Sequence, residues 1–326
     1  MVGVWSRPGE GHPLAPPPRS RPRLPLPRAT TALCAWCVVV FLGITAAGGP
    51  SWETLARWGY LPASRVWDGA YWVLLSSAFV HFALWHVAFN VYWLWILGGV
   101  VERALGSLAF VGVVAVAAVV SSSVQLGVSG ATGIGASGVV YALFGLMWAA
   151  RKRVPVFGLV LGDRLPKLFW IWLVGCIVAT HFGLLRIGNG AHVGGVIFGM
   201  LVGSCLGTSR ARRALTLVAT VAFVATSLVP AFWSPWSPDW VGYQASKAHK
   251  ARDYDAAIEG YRRSISLGGD RAWALANMAL AYAAKGAARE SAETLAQLRS
   301  VDPAAAATVE ERIGLSPGAT AAPSQE

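Results

Sequence analysis

Long apolar runs separated by short polar breaks fill residues 30–233, and their lengths cluster near what a bilayer crossing needs. The pattern predicts spans at Thr30–Ala47, about Val80–Val100, about Leu108–Leu126, Ser137–Ala150, about Leu168–Phe182, about Gly190–Leu206 and Ala214–Trp233. The fourth run is unusual. At about 14 residues it makes roughly 21 Å of helix, short of the ~30 Å of hydrocarbon. The glycine-rich stretch before it, Gly133-Ile134-Gly135-Ala136, must supply the missing depth. Irregular backbone at that depth is tolerated only where protein shields it or water lines it. Ser137 is therefore expected below one surface, in a protein-walled cavity.

The ends have a different texture. Residues 1–29 are rich in proline and arginine and are expected to form a disordered basic tail. Residues 48–79 hold Trp52, Trp58, Trp67 and Trp72 and few charges, so this connection is read as lying in the membrane–water interface. Residues 208–237 hold the seventh span and a linker. Beyond Pro238 the charge density becomes ordinary, and two segments repeat at a spacing of 34 residues. Val241, Gln244, Ala245, Ala248, Ala257, Tyr261, Ser264 and Gly269 align with Leu275, Met278, Ala279, Tyr282, Ser291, Leu295, Leu298 and Pro303. The period and the helix–turn–helix pattern over 238–315 resemble tetratricopeptide repeats. Such units usually need three or more copies to be stable, so two plus a short Ala304–Ile313 helix are marginal alone. Residues 316–326 are expected to be a disordered tail.

Composition and charge agree with a membrane protein. Of 326 residues, 55% are hydrophobic and 13% charged, and mean hydropathy is +0.51. The net charge of +11 invites a nucleic-acid partner. The basic residues sit beside the spans, however, where the positive-inside rule puts them, and no nucleic-acid partner is expected. The tail before span one, the 151–167 loop after span four and Arg210, Arg212 and Arg213 after span six all fall on one side if six crossings precede Arg213. That side is expected to be the cytoplasm, with the serine loop, the tryptophan loop and the repeats opposite. Cys34, Cys37, Cys176 and Cys205 lie in predicted spans and read as small apolar residues.

Candidate chemistry comes from three places. Ser137 opens span four, where backbone N–H groups lack helical partners and could stabilise an oxyanion. His192 stands near the start of span six in Gly190-Ala191-His192-Val193-Gly194-Gly195. His86 and Asn90 are one turn apart on span two, and such polar groups at depth need partners or a cavity. Small residues recur every four positions at Ala191, Gly195, Gly199 and Gly203, and Gly138, Ala142 and Gly145 line span four. Such stripes let membrane helices approach closely, so a serine–histidine contact between spans four and six is geometrically reasonable. Each feature also has a plain structural reading: a serine cap, a packing stripe, a capping histidine.

Taken together, residues 30–207 resemble the rhomboid family of intramembrane serine proteases. The resemblance rests on Gly135-Ala136-Ser137-Gly138 with Tyr141 one turn on, His86-x-x-x-Asn90, Gly98-x-x-x-Glu102-x-x-x-Gly106, and Ala191-His192 before Gly194-Gly195, all in family order. It implies a dyad of Ser137 as nucleophile and His192 as base. It implies an oxyanion hole from His86, Asn90 and the Ser137 N–H, and Tyr141 packing on the His192 ring beside Gly135. It also implies single-span transmembrane substrates and no metal or other cofactor. One departure stands out: Trp72 is followed by Val73, where many members carry a Trp-Arg pair associated with loop structure. Glu102 is read as structural. His81 and His181 are read as boundary residues.

The sequence thus predicts an all-α fold: a polytopic bundle with a rhomboid-like six-span core and a seventh span, followed by a small helical repeat domain. The expected function is a multi-pass serine endopeptidase of the bacterial inner membrane, with its N-terminus cytoplasmic. The bilayer and transmembrane proteins would be its partners, with a further protein partner at the repeats. An inactive relative that holds membrane clients is the alternative, although both dyad residues are present. A histidine-lined channel or metal transporter lacks a His-Glu-x-x-His pattern or paired intramembrane carboxylates.

Overall fold

A computed structural model describes residues 26–314, so the tail readings for 1–25 and 315–326 concern residues outside this description. Helix α1 (Arg28–Ala46) begins two residues before the expected Thr30. The cause lies far along the chain. The Glu102 carboxylate accepts the backbone N–H groups of Ala29 and Thr30 at 2.9 and 2.8 Å and the Thr30 hydroxyl at 2.7 Å. A carboxylate there satisfies donors that the first turn cannot pair internally and faces the positive end of the helix dipole. Ser107 Oγ donates to the same carboxylate at 2.7 Å. Glu102 therefore ties three segments together, as its structural reading expects.

The tryptophan-rich connection is not featureless. It contains α2 (Trp52–Arg57), α3 (Ala63–Trp67), α4 (Val73–Ser76) and a 3-10 turn at Ser77–Phe79. Ser51 caps α2 by accepting the Thr54 N–H. Trp58 packs against α1: a methyl group on Gly43 would fall 1.9 Å from its ring. Val66, Val73 and Leu74 are buried and pack with Leu126 and Ala231, while Trp52 and Trp72 stay exposed.

The second span starts at Leu84, four residues later than the pattern suggests. It runs through α5 (Leu84–Trp93), a π-turn (Leu94–Gly98) and α6 (Gly99–Leu105). Residues 80–83 are held outside the helix, and His81 turns inward and is fully buried. Then follow α7 (Ser107–Ser129), α8 (Ser137–Ala150), α9 (Pro155–Leu161), α10 (Arg164–His181), α11 (Asn189–Cys205) and α12 (Arg210–Leu228), extended by a 3-10 turn at Val229–Ala231. Among the described residues, the helices at Arg28–Ala46, Leu84–Leu105, Ser107–Ser129 and Arg210–Ala231 are long and apolar enough to cross a membrane. Ser137–Ala150 and Asn189–Cys205 are shorter apolar helices.

Helix α8 is the axis of the bundle. Every residue from Gly138 to Met147 is buried. It faces α11 through an interlocking of small residues. A methyl group added to Gly195, Gly199 or Gly203 would stand 2.1, 1.9 or 2.3 Å from the carbonyl oxygen of Gly138, Ala142 or Leu146. The reciprocal position, Gly145, meets the Val196 carbonyl at 2.4 Å. Backbones this close gain dispersion contact along their length, a main source of helix association where lipid removes the hydrophobic drive.

The region after Pro238 forms α13 (Pro238–Lys250), α14 (Tyr254–Ser266), α15 (Arg271–Lys285), α16 (Ala288–Val301) and α17 (Pro303–Ile313). Consecutive helices pack on one another around Ala245, Tyr261, Leu275, Ala279, Leu295 and Leu298. The interior follows the 34-residue register: Ala257, Tyr261, Leu275, Ala279, Leu295 and Leu298 are all at most 3% exposed. Asp253, Asp270 and Asp302 each cap the following helix through the N–H three residues on.

Candidate active site

The loop between α7 and α8 is built by glycine. Gly130 adopts a left-handed conformation that ends α7, and Gly135 has φ of +94°. At Gly135 there is also no room for a side chain, because a Cβ would lie 2.6 Å from His86 Cε1 and 3.2 Å from His81 Nε2. The loop is held from the other side by Ser77, whose carbonyl accepts the Gly135 N–H at 3.1 Å. This geometry delivers Ser137 as the first residue of α8, with Ala136 before it and no side-chain cap. The hydroxyl is thus not spent on capping its own helix.

Across the interlocked backbones, His192 sits in the first turns of α11. Its Nε2 lies 2.8 Å from Ser137 Oγ, a full hydrogen bond. The ring is 5% exposed, and Nδ1 has no hydrogen-bond partner among the described residues. No carboxylate therefore orients it from behind. The ring of Tyr141, one turn after Ser137, packs on the imidazole instead, with centroids 4.7 Å apart at an interplanar angle of 33°. Tyr141 itself is fixed by its hydroxyl, which donates to the Phe169 carbonyl at 3.4 Å. Gln125 on α7 accepts the Ala191 N–H at 3.1 Å and so fixes the backbone beside His192.

His86 reaches the site as the wall over Gly135. Asn90, one turn on and nearly fully buried, donates through Nδ2 to the His86 carbonyl at 3.0 Å, while its Oδ1 has no protein partner among the described residues. The second Nδ2 hydrogen has no partner among the described residues. The structure thus gathers Ser137, His192, Tyr141, Gly135 and His86 around one point, with Asn90 on the same helix face as His86.

His81 belongs to this group too, contrary to its reading as a boundary residue. Its ring lies 4.9 Å from that of His86. Nδ1 contacts the Phe79 carbonyl at 3.1 Å, and Nε2 accepts the Ala136 N–H at 3.4 Å. A carbonyl can only accept and an amide N–H can only donate, so the two partners fix the tautomer. The missed signal was energetic: a histidine at the edge of an apolar run needs a polar partner, wherever that partner lies in sequence. His181, by contrast, ends α10 beside Phe182 and touches none of these groups. Among the described residues no group of three or more His, Cys, Asp and Glu could hold a metal ion.

A hydroxyl paired with an imidazole, beside a helix N-terminus, is equipped for nucleophilic acyl transfer. Residues 68–209 match the family model described as "Rhomboid domain". The chain is 38% identical over 175 residues to "Rhomboid protease GlpG" of Serratia proteamaculans (strain 568), covering 53% of this chain and 60% of that protein. It is 36% identical over 164 residues to the protein of that name from Salmonella paratyphi A, covering 50% and 58%. A Salmonella typhi protein of that name gives the same identity and coverage. The chain spans about 60% of the length of the curated relatives it matches. The chain is thus similar to rhomboid proteins over part of its length, and the matched family region ends before α13 begins.

Proposed function

We propose that this protein is a rhomboid-type intramembrane serine endopeptidase that cuts single-span membrane proteins within or beside their transmembrane segment. The observation that carries the reading is the 2.8 Å approach of Ser137 Oγ to His192 Nε2 at the head of a buried helix. As Oγ bonds to the scissile carbonyl carbon, its proton passes to Nε2 and the carbonyl electron pair moves onto oxygen. The imidazolium then gives that proton to the leaving amine as the C–N bond breaks. Water, deprotonated by the same nitrogen, then attacks the acyl carbon, and as the acyl C–O bond breaks the imidazolium returns a proton to Ser137 Oγ, leaving a free carboxylic acid. The Ser137 N–H, the His86 ring and the free amide hydrogen of Asn90 are the donors we assign to the oxyanion. One such donor is commonly worth about 3–4 kcal/mol of transition-state stabilisation.

Substrate class follows from the setting. An intact helix hides its peptide bonds, so segments rich in glycine or proline near the site's end of the bundle should unwind and enter most readily. The bilayer is the working medium, in a bacterial inner membrane with the N-terminus in the cytoplasm. The helices of 238–313 serve as a tetratricopeptide-like module for protein partners. The test is labelling with a serine-reactive fluorophosphonate alongside cleavage of a co-expressed single-span reporter. The wild type should do both and the Ser137→Ala protein neither. Equal labelling of the two proteins would reject the assignment.

A further inference from the structure

The segment joining α12 to α13, with the first turns of α13, grips two pieces of chain that lead into the site. On one side is the first loop. Trp67 Nε1 donates to the Pro230 carbonyl at 3.1 Å, and the Tyr243 hydroxyl donates to Asp68 Oδ1 at 2.5 Å. The Trp67 and Tyr243 rings lie 5.3 Å apart, and the Tyr71 and Phe232 rings 5.0 Å apart. On the other side is the C-terminal end of α7. Trp236 Nε1 donates to the Gly127 carbonyl at 2.9 Å, one of the last four carbonyls of a helix, which have no helical partner. Asp239 fills the space over Gly130, where a Cβ would stand 1.8 Å from its carboxylate oxygen, and Pro230 covers Gly127.

Both gripped pieces run straight into the catalytic loop. From Trp67 and Asp68 the chain passes through the buried Val73 and Leu74 to Ser77, whose carbonyl holds the Gly135 N–H. From Gly127 and Gly130 it passes in a few residues to Gly135 and Ser137. The first loop also lacks an arginine after Trp72, and the bracing found here comes from outside the loop.

We infer that residues 230–243 form a clamp that positions the Ser137 loop, making Trp236 and Tyr243 positioning residues for a reaction about a hundred residues upstream. This rests on the protease reading for its catalytic readout, but not for its structural one. The clamp also gives the helical repeats a fixed seat on the membrane core, which offsets the marginal stability of so few units. A load on the repeats would then be felt at the loop.

The experiment uses the full-length protein in liposomes, with Trp236→Phe, Tyr243→Phe, the double variant and Asp68→Asn. Each aromatic change keeps a ring and removes one donor. Deuterium exchange over residues 127–136 and kcat and KM on a single-span substrate are measured together. Losing a typical hydrogen bond implies changes of roughly fivefold. Exchange in the double variant should rise at least that much, and kcat should fall similarly with KM within about twofold. Asp68→Asn keeps an acceptor for the phenol and should behave as wild type. Unchanged exchange in the double variant overturns the clamp, whatever the activity. Faster exchange with unchanged kcat overturns the positioning role. If the wild type neither cleaves nor takes the fluorophosphonate, the protease reading fails, and the exchange data alone then uphold or overturn the clamp.

Discussion

Gly195 lies directly against the carbonyl of Gly138, so close that a methyl group there would stand 2.1 Å from the oxygen. Gly138 follows Ser137, and Gly195 is three residues from His192. The closeness of two backbones therefore sets the distance between two side chains. A helix separation larger by even one methyl group would pull the 2.8 Å serine–histidine contact beyond hydrogen-bond range.

Gly199→Ala tests this spacing without touching Ser137 or His192. Its Cβ would meet the Ala142 carbonyl at 1.9 Å, so α8 and α11 must part. Fluorophosphonate labelling should fall by an order of magnitude or more, as expected when reacting groups shift by about 1 Å. Gly112→Ala on α7 is the control, because nothing lies within 4 Å of its added methyl. That change should leave labelling intact and raise the melting temperature, since alanine gains up to about 1 kcal/mol over glycine in a helix.

Ser137→Ala and His192→Ala should each reduce reporter cleavage at least about a thousandfold while the protein still accumulates, because members of such a unit fail together. The double variant should be no worse than either single one. Immunoblots of reporter and enzyme from the same cells give both quantities.

Gly135→Ala should inactivate through geometry. The residue needs φ of +94°, and its new methyl would overlap His86 and crowd His81. The strain alone is about 1–3 kcal/mol. We expect a loss in kcat well beyond tenfold with KM little changed, measured on a purified single-span substrate.

His81→Ala should destabilise the loop and not merely an edge of the membrane. It leaves the Ala136 N–H without its acceptor, a cost of about 1–3 kcal/mol for a buried donor. Exchange over residues 133–137 should quicken and kcat should fall. His181→Ala, which touches none of the site, should do neither.

The Tyr243 phenol is pushed up from the usual 10.0 to about 12, first by burial and then by the neighbouring Asp68. An unfolded chain loses this proton at the lower value. The group's contribution is therefore complete below about pH 10 and is lost as pH rises toward 12. The fall in melting temperature across that window should be shallower in Tyr243→Phe. An identical pH dependence in the two proteins would mean that Tyr243 is not held against Asp68 in solution.

Much of this molecule could be read from its sequence because in lipid the backbone must satisfy itself locally. That leaves the α-helix as the default element, and run length gives the helices. The short run at Ser137–Ala150 announced a helix starting below the surface, and the structure has the same bounds. The 34-residue register likewise picked out Tyr261, Leu275 and Leu298, which are buried. What the sequence could not decide are pairings between distant residues. Glu102 starts a helix more than seventy residues away, and His81, which looked like a boundary residue, supports the serine loop. Trp236 and Tyr243 hold loops that precede them by more than a hundred residues. Local pattern sets most of a residue's own backbone state, though not at residues 80–83, and it does not say which polar group another segment brings within 3 Å. Only the close packing of whole helices, set here by a few glycines against carbonyls, decides that.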